Sequence, residues 1–159
     1  MASSAFNILF LGATNSARSI MAEGILRMEG RGRFRVFSAG RFPASVVNPF
    51  ALATLAAHNY PAYGLTSKHW KDLIAAETSE MDLVYTIFDG GRLSKAPVGL
   101  GRQATAEWQI ADPSTVEGSD GDKQLAFDAA FEHLCRYITD VVSLSDDSIR
   151  ILAKIATTS

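Results

Sequence analysis

The sequence contains very little cysteine. Among its 159 residues only Cys135 is a cysteine, so the chain cannot form an internal disulfide. The three histidines, His58, His69 and His133, show no metal-ligand spacing with one another or with the cysteine. We therefore expect no metal site and no cofactor.

Long apolar runs and a strong excess of one charge are also lacking. No segment approaches the ~20 apolar residues that span a bilayer, and residues 1–6 have no basic stretch ahead of an apolar one, as a secretory signal would. The net charge of -2 and the pI of about 5.9 give no electrostatic reason to expect a nucleic-acid or membrane partner. The expectation is a single cytoplasmic domain over residues 1–159.

Strands and helices alternate along the chain. Short apolar runs predict strands at residues 7–11, 34–38, 81–88 and 106–110. Three- and four-residue spacing predicts a helix from residue 19, stopped by Gly30 and Gly32, and further helices over residues 48–58, 67–76, 123–143 and 149–155. Residues 89–105 have little periodicity and predict a long surface loop. This order favours a three-layer α/β fold, with a four-stranded parallel sheet flanked by helices on both faces.

The most informative stretch is residues 9–23, in which a buried strand leads through a small polar turn into a helix. The amides of a helix start and the helix dipole favour a bound anion. The guanidinium of Arg18 suits two oxygens of phosphate, arsenate or sulfate, and Asn15 tolerates a left-handed turn conformation. On the pattern alone, an ordinary strand–helix turn with a solvated Arg18 is an equally good interpretation. The residues expected to bind the oxyanion, the oxyanion loop, are Gly12, Ala13, Thr14, Asn15, Ser16, Ala17, Arg18 and Ser19.

Several separated segments resemble one protein family. They are NSARS at residues 15–19, MAE at 21–23, SAG at 38–40, NP at 48–49, SK at 67–68 before Trp70, and the stretch from Trp108 to the DP at 112–113. In this order they resemble the low-molecular-weight tyrosine phosphatase family, and within it the arsenate reductases, over residues 7–143. The resemblance implies the fold of that family and an anion site in the oxyanion loop.

The resemblance also implies a nucleophile that this chain does not have. The family's motif is a cysteine, five residues, an arginine and then serine or threonine, and the cysteine position holds Gly12. Glycine has no side chain that could attack phosphorus or arsenic. Positions where the reductases often carry further thiols hold Phe88 and Ala96. The nearby hydroxyls are far less acidic than a thiol and have no evident base.

Asp112 corresponds to the family's general acid, which lies before a proline. On the sequence alone it is also interpreted as an ordinary turn aspartate. With the resemblance we expect it over the anion site, as a lid. Arg18 and Asp112 are thus the inherited catalytic residues.

These observations favour a catalytically impaired, arsenate-reductase-like or phosphatase-like protein. The expected partners are a phosphate, arsenate or sulfate ion, or a phosphorylated protein. Two alternatives stay open at this point. One is an active arsenate reductase or protein tyrosine phosphatase with an unrecognised nucleophile. The other is a structural or regulatory protein whose loop is vestigial.

Two further residues carry expectations. Cys135 lies among apolar residues of the longest predicted helix, so a packing role is expected for it. His69, beside Lys68 and Trp70, is interpreted as a residue that faces the anion site. A basic run of five arginines between residues 27 and 41 indicates a solvated surface, with a docking patch for an acidic or phosphorylated partner as the alternative.

Overall fold

The computed structural model describes residues 5–75, 80–89 and 104–158. Its strands are β1 (Phe6–Gly12), β2 (Phe34–Gly40), β3 (Leu83–Phe88) and β4 (Ala104–Gln109). Its α-helices are α1 (Arg18–Glu29), α2 (Pro49–Ala57), α3 (Trp70–Ala75), α4 (Asp120–Ser143) and α5 (Asp146–Thr158), and a 3₁₀ turn spans Pro113–Thr115.

The four strands form one parallel sheet in the order β2-β1-β3-β4. β1 lies inside it, so that Ile8 faces Val36 of β2 on one side and Leu83 of β3 on the other. A strand covered on both faces and both edges must be almost wholly apolar, which explains the uninterrupted run at residues 8–11. The carboxyl ends of β1, β3 and β4 meet at one edge of the sheet, which is where the oxyanion loop begins.

Helices cover both faces of the sheet. Ile8 and Phe10 belong to a core cluster shared with α1, α2 and α4. Leu9 and Leu11 point to the other face and pack in a second cluster with Leu73 of α3. The α/β architecture and its flanking helices are therefore confirmed.

Several predicted boundaries were wrong. α4 begins at Asp120, three residues before the predicted start at residue 123, because Ser119 and Asp122 form a reciprocal capping box. α5 runs over Asp146–Thr158 instead of residues 149–155.

Other corrections concern segments near the sheet. β3 begins at Leu83 rather than at residue 81. β4 includes Ala104 and Thr105, which were predicted as loop, because both pair with β3, and Ile110 lies beyond the strand. α3 begins at Trp70 and not at residue 67, since the preceding backbone is hydrogen-bonded to β2 and to the oxyanion loop. Most of the predicted loop at 89–105, with Ala96, lies outside the described residues.

Within the described ranges, no helix combines the length and the apolar character needed to cross a membrane. In the same part of the chain, no cluster of three or more His, Cys, Asp or Glu side chains is placed to hold a metal ion.

Candidate oxyanion site

The oxyanion loop is fixed from outside by its carbonyl groups. The carbonyl oxygens of Gly12, Ala13, Thr14 and Ser16 accept hydrogen bonds, at 2.8–3.3 Å, from the backbone amides of Arg41, Phe42, Ala44 and Asn48, respectively. The Ser67 hydroxyl also donates to the Thr14 carbonyl, at 3.1 Å. The segment after β2 thus holds the loop along most of its length.

This anchoring determines where the loop amides point. In a trans peptide the N–H of one residue points opposite to the C=O of the residue before it, and the described chain has no cis peptide bond. The amides of residues 13, 14, 15 and 17 are therefore directed away from the anchoring segment. No described residue accepts a hydrogen bond from the amides of residues 13–17. Together with the first amides of α1 they make a group of donors without a partner in the described chain.

A small concavity lies over these amides. Of the expected site residues, all of residues 12–19 except Asn15 line it, and so does Asp112. Ile87, near the end of β3, also lines it. Its cavity volume is about 10 Å³, which is room for about one water molecule. Ile87 was not predicted as a site residue, although its position at the carboxyl end of a strand next to β1 could have indicated it.

Asn15 supports the loop from below and its side chain does not line the concavity. Its φ of 49° is left-handed, as expected, and the residue is 1% exposed. Its amide nitrogen donates to the hydroxyls of Ser19 and Ser38, at 2.9 Å each. Its carbonyl oxygen accepts from the backbone amide of Lys68, at 2.9 Å. Three of its hydrogen bonds thus join β2, the start of α1 and the segment before α3.

Gly40, at the end of β2, allows the loop to lie close to the sheet. A Cβ atom at this position would lie 2.9 Å from the carbonyl oxygen of Ala13 and 2.9 Å from the amide nitrogen of Asn15. Real Cβ contacts are not that short, so any larger residue would push the loop away. The SAG segment of the sequence contains this glycine, but the reason for it is visible only in three dimensions.

Below Asn15 lies a buried charged group. The Ser38 hydroxyl donates to the carboxylate of Glu23, which also forms an ion pair with Arg27 and lies 3.8 Å from the Lys68 ammonium. Burial raises the pKa of Glu23, whereas Ser38, Lys68 and Arg27 lower it; burial has the larger effect, so the pKa is raised. Burial likewise lowers the pKa of Lys68, although Glu23 acts in the other direction.

Arg18 lies at the edge of the concavity and is already engaged there. Its Nη1 donates to the carbonyl oxygen of Ile110 at 2.7 Å, and its Nη2 lies 3.5 Å from Oδ2 of Asp112. The side chain is 12% exposed. A guanidinium has five N–H donors, so donors remain for a further acceptor in the concavity.

Asp112 is held in place by its own turn. Its Oδ1 accepts from the amide and the hydroxyl of Ser114, at 3.0 and 2.7 Å, and its amide donates to Asp89 at 2.9 Å. The remaining oxygen, Oδ2, faces Arg18. The structure therefore brings together the two residues that the family resemblance predicts as catalytic, one at each side of the same opening.

At the position of the expected nucleophile, Gly12 has no side chain, and an added one would make a tight contact with Ser19. A Cβ atom there would lie 3.2 Å from the Ser19 hydroxyl, and the backbone of Gly12 is not left-handed. Ser19 is buried and accepts from Asn15, while the hydroxyls of Thr14 and Ser16 lie 2.9 Å from each other. No described imidazole, carboxylate or amine is hydrogen-bonded to any of these three hydroxyls, although the Asp112 carboxylate lines the same concavity.

Two other expectations were wrong or incomplete. His69 does not line the concavity; its ring lies beside Trp70 and accepts from the Lys71 amide. Its backbone forms a bridge with Gly40 instead. Cys135 packs against the core as expected but is only partly buried, and it lines a separate cavity. Burial is the main reason why the pKa of its thiol is raised.

Comparison with known proteins places this geometry in context. A family profile described as low molecular weight phosphotyrosine protein phosphatase matches residues 7–145. No curated protein sequence matches the chain significantly.

Three solved structures illustrate the similarity in fold. An arsenate reductase in the phosphate binding state has a TM-score of 0.69 at 24% identity, over 87% of this chain and 97% of that one. An arsenate reductase from Archaeoglobus fulgidus has a TM-score of 0.64 at 20% identity, over 83% and 98% of the two chains. A tyrosine phosphatase from Erwinia amylovora has a TM-score of 0.64 at 18% identity, over 91% and 97%.

Proposed function

The chain belongs to the low molecular weight phosphotyrosine protein phosphatase family, and from that premise we propose that it binds a tetrahedral oxyanion without converting it. The ligand is a free phosphate or arsenate ion, or a phosphoryl group on a partner protein. The oxyanion loop supplies the amides, Arg18 supplies the positive charge and Asp112 closes the site.

The main support for this proposal is that the carbonyl groups of the oxyanion loop are hydrogen-bonded to the segment that follows β2. Four of these carbonyls accept hydrogen bonds from the segment at residues 41–48. Each N–H that follows one of them points the opposite way, so these N–H groups are directed away from that segment. Amides at a helix start, together with the helix dipole, stabilise an anion, and the Arg18 guanidinium adds a full charge at the same place.

Impaired catalysis is supported by Gly12 and by the surroundings of the remaining hydroxyls. An acyl or phosphoryl transfer needs a nucleophile that is ionised or paired with a base. Gly12 has no side chain, and no described base is hydrogen-bonded to the hydroxyls of Thr14, Ser16 or Ser19. The sole thiol, Cys135, lines a different cavity.

Loss of the thiolate also favours binding. A cysteine thiolate in this loop would place a negative charge against the bound dianion, and like charges at contact distance repel. Gly12, which has no side chain, removes that repulsion. An impaired enzyme of this kind therefore retains, or gains, affinity for the anion.

Isothermal titration calorimetry with phosphate, arsenate and sulfate tests the proposal. We expect saturable binding with a Kd of roughly millimolar or below, and a loss of about tenfold or more in Arg18→Ala. Arg136→Ala, which removes an exposed arginine of α4, is the charge-matched control and should bind as the parent does.

Absence of heat with all three anions would contradict the proposal. In parallel, hydrolysis of an aryl phosphate should be undetectable. A rate that Arg18→Ala abolishes would instead identify an active enzyme with a nucleophile other than the expected cysteine.

A further inference from the structure

A second cavity, of about 330 Å³, lies between α1, the segment after α2 and α4. None of the residues that line it also lines the oxyanion concavity. The volume falls within the ~300–1,000 Å³ of sites for small organic molecules. Part of its wall is apolar, formed by Ile25, Ile138 and Val142. We call it the Glu29 cavity, after the one carboxylate in its wall.

The polar groups of the Glu29 cavity offer acceptors. The Tyr60 hydroxyl donates to Oε1 of Glu29 at 2.7 Å, so its hydrogen is already used. The Thr139 hydroxyl donates to the Cys135 carbonyl at 2.8 Å, and the Ser143 hydroxyl donates to the Thr139 carbonyl at 2.7 Å. What these side chains have left are oxygen lone pairs, and the Cys135 thiol is only a weak donor. A ligand that fits must therefore donate.

Among the described residues, the only charged side chain that lines the cavity is the exposed carboxylate of Glu29. No ion pair joins Glu29 to a lysine, arginine or histidine in the described part of the chain. The charges of Glu29 and Glu132 add to the burial that raises the pKa of the Cys135 thiol. Burial, the hydrogen bond to Glu29 and the charge of Glu29 likewise raise the pKa of the Tyr60 hydroxyl. Burial disfavours any charge, whereas the contributions of the two glutamates to these shifts indicate a local negative field, which favours a cation.

We propose that the Glu29 cavity binds a small organic cation, a protonated amine that carries an apolar chain or ring. The ammonium group contacts the carboxylate of Glu29, and the apolar part packs on Ile25, Ile138 and Val142. A primary ammonium has three donors, which matches the acceptors in the wall. Carboxylates and phosphates are repelled from this cavity, so its ligand differs in kind from that of the oxyanion loop.

Three probes of similar size and different charge test the proposal: phenethylammonium, 2-phenylethanol and 3-phenylpropanoate. Their affinities for the whole protein are measured by amide NMR titration. We expect shifts centred on Ile25, Ile138 and Val142, with the ammonium binding about tenfold more tightly than the alcohol and the carboxylate most weakly.

The variants separate charge from shape. Glu29→Gln should remove the advantage of the ammonium over the alcohol, whereas Glu117→Gln, at an exposed glutamate elsewhere, should keep it. Tyr60→Phe keeps the carboxylate and frees its Oε1, so the preference for the ammonium should persist. Val142→Phe fills the cavity and should weaken the ammonium and the alcohol alike.

The proposal is overturned by equal affinities for the three probes, by an ammonium advantage that survives Glu29→Gln, or by no binding of the ammonium at about 10 mM. The amide spectra report in the same experiment whether each variant is folded. Phosphate should not compete with the ammonium, because it has a different site.

Discussion

Nη2 of Arg18 and Oδ2 of Asp112 lie 3.5 Å apart across the opening of the oxyanion concavity. The guanidinium that we propose to bind an anion thus already faces a carboxylate of its own chain. Because Asp112 Oδ1 is bound to Ser114, the carboxylate is fixed in this orientation. An entering anion must share Arg18 with Asp112 and approach a like charge.

Asp112→Asn should therefore tighten anion binding. The substitution removes the negative charge at the opening, retains an oxygen for the contacts with Ser114 and supplies an N–H donor. A charge a few ångströms from the ligand near the surface accounts for about 1 kcal/mol or more, so we expect phosphate affinity to rise several-fold by calorimetry. Asp140→Asn, at an exposed position of α4, is the matched control. Weaker binding in Asp112→Asn would mean that the aspartate supports the site instead of competing for it.

Gly12→Cys should restore turnover of an aryl phosphate. The added Cβ would lie 3.2 Å from the Ser19 hydroxyl, which must shift by a few tenths of an ångström to admit it. A thiol at the end of β1, in the same concavity as Arg18, is expected to ionise readily. With nucleophile, amides and Asp112 together, the rate should exceed that of the parent by at least about a hundredfold. Gly12→Ser, which has no adjacent base, is the control and should remain inactive. An inactive Gly12→Cys protein that still binds phosphate would show that more than the thiol has been lost.

Asn15→Ala should strongly destabilise the protein. It removes three hydrogen bonds, two of them buried, leaves the Lys68 amide without its acceptor, and places alanine at a φ of 49°. We expect a loss of about 2–4 kcal/mol in the free energy of unfolding, measured with urea. Asn59→Ala is the control, since Asn59 has a φ of 64° but is exposed.

Asn59→Ala should lower the free energy of unfolding by only about 1 kcal/mol, which is the cost of placing alanine in the left-handed conformation. Equal losses in the two variants would mean that the Asn15 side chain does not contribute through its hydrogen bonds.

The alkylation rate of Cys135, the only thiol of the chain, should depend on pH in a way that reports the surroundings of this one residue. Burial, and then the charges of Glu29 and Glu132, raise the pKa of its thiol above the ordinary value of 9.0. The folded protein thus holds the thiol proton more tightly than the unfolded chain does. This difference stabilises the folded state below pH 9, and the stabilisation is lost as the pH rises through the pKa of the folded state. The alkylation rate with iodoacetamide should have its midpoint above pH 9 in the native protein and at the ordinary value in urea.

Glu29→Gln should lower that midpoint without returning it to the ordinary value, because burial is the larger cause. The Cys135→Ser variant gives the background rate of alkylation, since the chain has no other thiol. A native midpoint at or below the ordinary value would contradict this description of the Glu29 cavity.

The sequence predicted the parts of the fold that depend on local pattern. β1 was recognised because a strand covered on both faces is apolar throughout, and α2 because Asn48 and Pro49 form a helix start. The start of α4 was missed although Ser119 and Asp122 have the spacing of a capping box, so the signal was present in the sequence.

The supports of the site could not be predicted in the same way. Arg18 and Asp112 were placed together by the family resemblance, because no local pattern connects residues so far apart in sequence. The contacts of Asn15 with Ser38 and Lys68 join residues 23 and 53 positions away, and the role of Gly40 depends on the approach of a loop from another strand. Such relationships exist only once the sheet is assembled.

A crystal structure with arsenate tests the central claim most directly, because the anomalous signal of arsenic locates the anion without assumption. We predict one strong peak over residues 12–19, with the arsenate oxygens about 3 Å from the loop amides and from the Arg18 guanidinium. At saturating arsenate, a concavity without such a peak, with Arg18 still paired to Asp112, would contradict the account.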